Sequence, residues 1–160
     1  MFCGSVSLIN VTFSSLKLFL IAFALVFAFS TVKADERDRI ITKEQLPAAA
    51  QQLIAKNFGE LKISLVKEDR EFVSRNYEVV FADGTKLEFT ASGEWKEIDC
   101  RKNSVPAELI PQQVVAFVAE RYPDAKIVQI DRDRHDYEVK LSNGLDLTFD
   151  KKFNLIDIDD

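Results

Sequence analysis

Tyr77-Glu78-Val79-Val80-Phe81-Ala82-Asp83-Gly84-Thr85-Lys86-Leu87-Glu88-Phe89 decides the fold, because the chain carries a second version of it 60 residues on. That version is Tyr137-Glu138-Val139-Lys140-Leu141-Ser142-Asn143-Gly144-Leu145-Asp146-Leu147-Thr148-Phe149. Each consists of two alternating runs joined by Asp-Gly or Asn-Gly, the strongest short-range signal for a β-hairpin. Side chains alternate along a strand, so Tyr77, Val79 and Phe81 share one face with Leu87 and Phe89. Glu78, Val80, Lys86 and Glu88 turn the other way.

A helical stripe precedes each hairpin. Over residues 47–58, Ala50, Leu53, Ile54 and Phe58 recur at helical spacing, with Gln51, Gln52 and Lys56 elsewhere. Pro47 suits a first helical turn and Gly59 ends the helix. Thr42 and Gln45 have the spacing of a capping box on a short preceding turn. The plan recurs 64 residues later, with Pro111, Val118 and Tyr122 in place of Pro47, Ile54 and Phe58. A strand follows each helix (62–70 and 126–134), and a last strand follows each hairpin (94–100 and 154–160). The offset falls from 64 to 60 between Asp69 and Tyr77, which places four extra residues of the first copy within 70–76.

The expected fold is α+β, built of two tandem units over residues 41–100 and 105–160. Each unit is a helix plus a four-stranded antiparallel meander. Arg101–Ser104 reads as the polar linker, and residues 35–39 as a charged, mobile lead-in. One such unit is marginal alone. Joining the two sheets edge to edge buries a shared edge and brings both helices onto one face of a continuous sheet.

Residues 1–34 differ in kind. They hold no acidic residue, an apolar run of 12 residues from 18 to 29, and Val32-Lys33-Ala34 where a signal peptidase reads small side chains. This is an export signal, cleaved after Ala34; the run falls short of the ~20 residues of a spanning helix. Cys3 precedes the run, so lipid attachment at a cleavage-site cysteine is not supported. The remaining 126 residues suit one domain or two small fused units. The charges lost with the signal, Lys17 and Lys33, are both basic, which leaves 19 Lys plus Arg against 26 Asp plus Glu, a balance of −7. That excludes a nucleic-acid partner, which needs concentrated positive charge. Cys100 is then the only cysteine, so no intramolecular disulfide forms; it reads as a small buried hydrophobe at a strand end.

Nothing resembles a catalytic set. His135, the only histidine, lies between charged residues at a strand entrance, without a nucleophile–base–orienter arrangement. Ser92, Ser104 and Ser142 sit in turn or linker contexts. No phosphate loop, Cys/His cluster or zinc helix occurs, and no cofactor is expected. Asp131, Asp133, Asp157 and Asp159 could serve a hard cation, but no Asp-x-Asp-x-Asp-Gly loop holds them together.

Two surfaces are candidates for binding. The face turned from the helices should show Glu78, Glu88, Trp95, Glu97 and Asp99 in the first unit, with Glu138, Lys140, Asp146, Thr148, Leu155 and Asp157 in the second. Trp95 there is an aromatic anchor ringed by polar groups; the alternative is that it packs over the sheet edge or against the other unit. Phe72-Val73, within the four extra residues, places apolar side chains at a hairpin tip. They either enter a partner's cleft or fold back on their own core.

The doubled pattern resembles a known family. Asn57-Phe58 or Arg121-Tyr122-Pro123 at the helix end, Tyr-Glu-Val, a Gly turn, Leu-x-Phe and Glu94-Trp95-Lys96-Glu97-Ile98 are similar to PepSY-like exported bacterial proteins. That family is related in fold to the beta-lactamase inhibitor protein. The resemblance covers about residues 41–160 and implies a curved sheet with an open concave face that binds or inhibits another extracytoplasmic protein. The second copy departs from it, with Phe153 and Leu155 at the positions of Gly93 and Trp95. The expectation is a monomeric, periplasmic or secreted, non-enzymatic binding protein, a modulator of an envelope hydrolase, with no membrane contact after signal cleavage. It would engage another envelope or extracellular protein through Trp95, Glu88, Glu97, Phe72, Val73 and Leu155. The alternative is an acidic face that binds calcium or a cationic small ligand.

Overall fold

Both hairpins form, with the same register, in a computed structural model that describes residues 38–70 and 74–160. In chain order the elements are β1 (Asp38–Ile40), α1 (Ala48–Asn57), β2 (Ile63–Arg70), β3 (Arg75–Phe81), β4 (Lys86–Thr90) and β5 (Trp95–Asp99), then α2 (Gln112–Arg121), β6 (Ile127–Arg132), β7 (Asp136–Leu141), β8 (Asp146–Asp150) and β9 (Leu155–Asp159). Tyr77 pairs with Phe89 and Val79 with Leu87, as Tyr137 does with Phe149 and Val139 with Leu147. Each turn is a three-residue loop. Phe81 N–H donates to Thr85 O at 2.8 Å and Gly84 N–H to Phe81 O at 3.0 Å; Leu141, Leu145 and Gly144 repeat this at 2.8 and 3.0 Å. The closing residue needs a left-handed backbone, which Gly84 (φ +92°) and Gly144 (φ +97°) adopt without a Cβ clash.

The strands form one antiparallel sheet in the order β1 to β9, each hydrogen-bonded to its neighbours in sequence. The join between β5 and β6 pairs Ile98 with Ile130, both fully buried. Cys100 N–H to Val128 O (2.8 Å) and Val105 N–H to Ile127 O (2.9 Å) extend that join beyond β5 itself. The helices bury Ala50 and Ile54 on α1 and Val114 and Val118 on α2. These belong to one core with Val79, Leu87, Phe89, Val139, Leu147 and Phe149, so both helices lie on the same side of the sheet. Pro47 and Pro111 stand just outside the helices as their N-caps, one position earlier than a first-turn reading. Cys100 is a free, buried thiol, and burial pushes its pKa up to about 11. His135 is exposed in the β6–β7 turn. Among the described residues no helix is long and apolar enough to cross a membrane.

Two expectations are corrected. Of the expected lead-in over 35–39, Asp38 and Arg39 are not mobile: with Ile40 they form β1, which pairs with β2 and makes a ninth strand, and 35–37 lie outside the described residues. The last strand of each half also does not follow simple alternation. A bulge lies between the Glu88 and Phe89 pairings on β5, and another between the Thr148 and Phe149 pairings on β9. Each inserts an extra residue opposite one partner and reverses the facing of what precedes it.

The turn before each bulge contains a left-handed residue, Gly93 (φ +86°) in the first half and Phe153 (φ +64°) in the second. A Cβ on Gly93 would come within 2.8 Å of Pro47 Cβ and 3.0 Å of Ala50 N, because the start of α1 rests on this turn. Phe153 is free of that constraint, and its ring packs 5.4 Å from Tyr137. Gly144 tests the backbone term alone, since nothing lies within 4 Å of its missing Cβ. Gly144→Ala should cost about 1–2 kcal/mol, the scale of a left-handed non-glycine residue. Gly93→Ala should cost clearly more, because the α1 backbone must also move. Urea denaturation of both variants checks this; equal losses would mean that α1 gives way freely.

Candidate functional site

The sheet face turned from the helices carries a row of acidic side chains at right angles to the strands. Glu78 on β3 stands opposite Glu88 on β4, Glu88 opposite Glu97 on β5, and Glu97 opposite Asp131 on β6. Asp131 then faces Glu138 on β7, Glu138 faces Thr148 on β8, and Thr148 faces Asp157 on β9. Directly paired residues share a face and stand about 5 Å apart, and like charges there repel. Six carboxylates thus follow one another with a single threonine between them.

The neighbouring row supplies most of the compensation. Lys86 donates to Glu88 at 3.1 Å and reaches Glu97 at 2.8 Å. Lys67, opposite Glu78 and so at the β2 end of the acidic row itself, reaches Asp38 at 3.0 Å and Glu78 at 3.9 Å. Lys140 is bound to Asp146 at 2.9 Å. Gln129 donates to Asp131 at 2.8 Å and to Glu97 at 3.3 Å, a neutral bridge across the β5–β6 join. Two shallow depressions, about 190 and 350 Å³, open along the row and share Asp131 and Glu138 in their walls.

Burial raises the Glu97 carboxyl above its ordinary range; the Lys86 hydrogen bond works against this, and the Asp131 charge adds to it. Burial also raises Asp131, against the Gln129 hydrogen bond. Glu138 is raised by desolvation and then by the Asp131 charge. For Lys86, burial favours loss of the proton, but hydrogen bonds to Glu97 and Glu88 outweigh it and the pKa rises. The face therefore resists full ionisation at its centre and holds its one central ammonium charged.

Of the residues expected at a binding surface, Glu88 and Glu97 stand side by side in the row. Trp95 and Leu155 do not join them. The bulges set Trp95 opposite Phe89 and Leu155 opposite Phe149, and both pack against the core on the helix-bearing side. Arg132 covers Trp95, its guanidinium 4.5 Å from the ring centroid, and donates from Nη2 to Trp95 O at 2.7 Å. Trp95 is thus packed across the β5–β6 join rather than presented as an anchor on the open face. Phe72 and Val73 lie outside the described residues. Asp133 sits in the β6–β7 turn, outside the paired row, but lines the same depression as Asp131, while Asp157 and Asp159 share the open face. Asp131, Gln129 and Lys67 were missed as members of this face. Their signal was register: each is fixed only once β2 and β6 are paired with neighbours.

The fold and the row frame the comparisons. Residues 75–157 match the family described as "Putative beta-lactamase-inhibitor-like, PepSY-like". The chain belongs to this PepSY-like family. A solved "putative calcium-regulated periplasmic protein" from Bacteroides thetaiotaomicron is 48% identical, with a TM-score of 0.75, covering 77% of this chain and 97% of that one. A periplasmic protein from Bacteroides vulgatus is 44% identical, with a TM-score of 0.77 and coverage of 79% and 99%. A second protein from that organism, described as periplasmic and of unknown function, is 37% identical, with a TM-score of 0.73 and coverage of 77% and 99%. No curated protein matches the chain. With these PepSY-like relatives, the chain is a periplasmic or secreted protein.

The raised carboxyls make a pH prediction. A carboxyl whose folded-state pKa exceeds its unfolded value opposes folding when ionised, so the penalty is present at neutral pH and fades as pH falls through the raised pKa. Asp131→Asn removes the charge between Glu97 and Glu138 and still accepts from Gln129. It should stabilise the protein at neutral pH by roughly 0.2–1 kcal/mol, the scale of an opposed like-charge pair. The gain should shrink in acid, as thermal melts across pH would reveal. A net loss at neutral pH would mean that the Gln129 bond, not repulsion, dominates at this position.

Proposed function

We propose that this PepSY-like chain is a non-enzymatic binding protein whose open sheet face takes a positively charged surface of another envelope or extracellular protein. The row from Glu78 to Asp157 carries this reading: a broad, helix-free face on which carboxylates outnumber lysines suits a partner of the opposite sign. Glu88 and Glu97 lie within it as contact residues. Trp95 and Leu155 contribute by supporting the rim from the helix side, and Phe72-Val73 remains a second contact by its sequence. Inhibition or modulation of an envelope hydrolase is the form of this role that the family description suggests. The protein acts as a monomer of two tandem PepSY-like units, 41–100 and 105–160; the matching registers of the two hairpins support that division.

The test is affinity capture from the host's own envelope extract on the immobilised exported protein. A specific partner should be retained, lost with rising salt, and bound about tenfold more weakly by Glu88→Lys/Glu97→Lys, since one such step is ~1.4 kcal/mol. Equal retention by this variant would remove the open face from the interface. Loss with Trp95→Ala alone would shift the contact to the rim.

The description of the 48% identical relative favours a second reading, regulation by calcium at the same row. Among the described residues no three acidic, histidine or cysteine side chains converge as metal ligands. Calcium would have to displace Lys86 from Glu88 and Glu97, or draw Asp131 and Glu138 together. A calcium-dependent rise in melting temperature, abolished in Asp131→Asn/Glu138→Gln, is the expected outcome of this reading. An unchanged melting temperature rules it out.

A further inference from the structure

The sheet ends on β9, and among the described residues no strand pairs with its outer side. A free edge presents unpaired N–H and C=O groups that another strand can take, and proteins usually blunt such edges with lysine, proline, brevity or a cover. β1, the opposite edge, is only three residues long. β9 has five, Leu155-Ile156-Asp157-Ile158-Asp159, with neither lysine nor proline; its bulge lies at Ile156, so Asp157–Asp159 is the regular part of the edge. Its two isoleucines are among the most exposed large apolar side chains of the described protein, Ile156 at 59% and Ile158 at 46%. Ile158 stands opposite the fully buried Leu147, on the helix-bearing side, so it is a core position that lacks a covering neighbour among the described residues. Asp157 and Asp159, opposite Thr148 and Asp146, face the open side.

We propose that β9 is a strand-docking edge for an extended peptide segment that alternates basic and apolar residues. Such a segment pairs with the β9 backbone as a tenth strand. Its apolar side chains then cover Ile158, and its lysines or arginines meet Asp157 and Asp159, carrying the charge complement to the end of the acidic row. A second copy of the chain is disfavoured as occupant. Antiparallel self-pairing centred on Asp157 or Ile158 sets Asp157 against its own copy or against Asp159, and opposed like charges destabilise a sheet. This site shares Asp157 with the acidic row described above, but its β9 backbone edge and Ile158 lie outside that row, and the proposal does not depend on the open-face contact.

The test is calorimetric titration of the exported protein with a synthetic hexapeptide of alternating lysine and valine. The expected result is saturable binding. It should weaken by about tenfold, ~1.4 kcal/mol, for a peptide of the same composition with lysines and valines in separate blocks, and likewise for one N-methylated at alternate backbone nitrogens. Asp157→Asn/Asp159→Asn should weaken binding to a similar degree, whereas Glu108→Gln/Glu120→Gln, at exposed carboxyls with no part in either surface, should leave it unchanged. The N-methylated peptide keeps the test independent of any effect of substitutions on folding. Absence of binding, equal binding of the block peptide, or an equal loss in the Glu108/Glu120 variant would each overturn the proposal. Self-association of the free protein, lost on Ile158→Lys, would overturn it in favour of a second copy. Failure of the open-face reading would be seen separately, in capture by the Glu88→Lys/Glu97→Lys variant.

Discussion

The pairing of β5 with β6 is the constraint on which the rest depends. Three residue pairs join the halves of the sheet there: Glu97 with Asp131, Ile98 with Ile130, and Asp99 with Gln129. Without that join each half would expose an interior edge and divide its core. With it, Ile98 and Ile130 become fully buried, and both helices pack on one continuous apolar surface. Arg132 secures the same join from the end of β6 by covering Trp95, while the hydrogen bonds at Cys100 and Val105 carry the attachment into the crossover.

The join also has a cost, because the alternation that buries Ile98 against Ile130 must set Glu97 against Asp131 on the other face. Magnitudes decide the outcome. Burying one isoleucine contributes about 1.5–3 kcal/mol, whereas an opposed pair of like charges costs roughly 0.2–1 kcal/mol. The apolar side therefore dictates the register, and the polar side adjusts through Lys86, Gln129 and partial relief of ionisation. A row of carboxylates that is tolerated rather than favoured is a surface on which a cation gains free energy. This links the packing of the core to the binding role proposed for the face.

The hairpins, both helices and the strands flanking them were legible in the sequence, with bounds displaced by a residue or two at most elements. Each follows from a local cause: a period of two around an Asp-Gly or Asn-Gly turn, or a helical stripe closed by glycine or proline. β1 was not legible, because Asp38-Arg39-Ile40 has no pattern of its own and becomes a strand only by pairing with Lys67, Glu68 and Asp69. The facing of Trp95 and Leu155 was also out of reach. A bulge carries no compulsory residue type here, and one inserted residue reverses every facing before it. Glu88 and Glu97 were placed correctly because both lie on the regular side of the β5 bulge.

By itself, then, the amino-acid sequence determined an α+β chain with two similar hairpins, an acidic balance and no recognisable catalytic set. These are properties of composition and of spacing within about a dozen residues, where backbone geometry leaves few alternatives. Tertiary structure decided which strands meet, and with that the nine-stranded order, the six-carboxylate row, the covering of Trp95 by Arg132 and the free edge at β9. The physical reason is that cross-strand register is set by the shared core. No residue on one strand specifies its opposite number until the apolar faces of both are packed beneath the same helices.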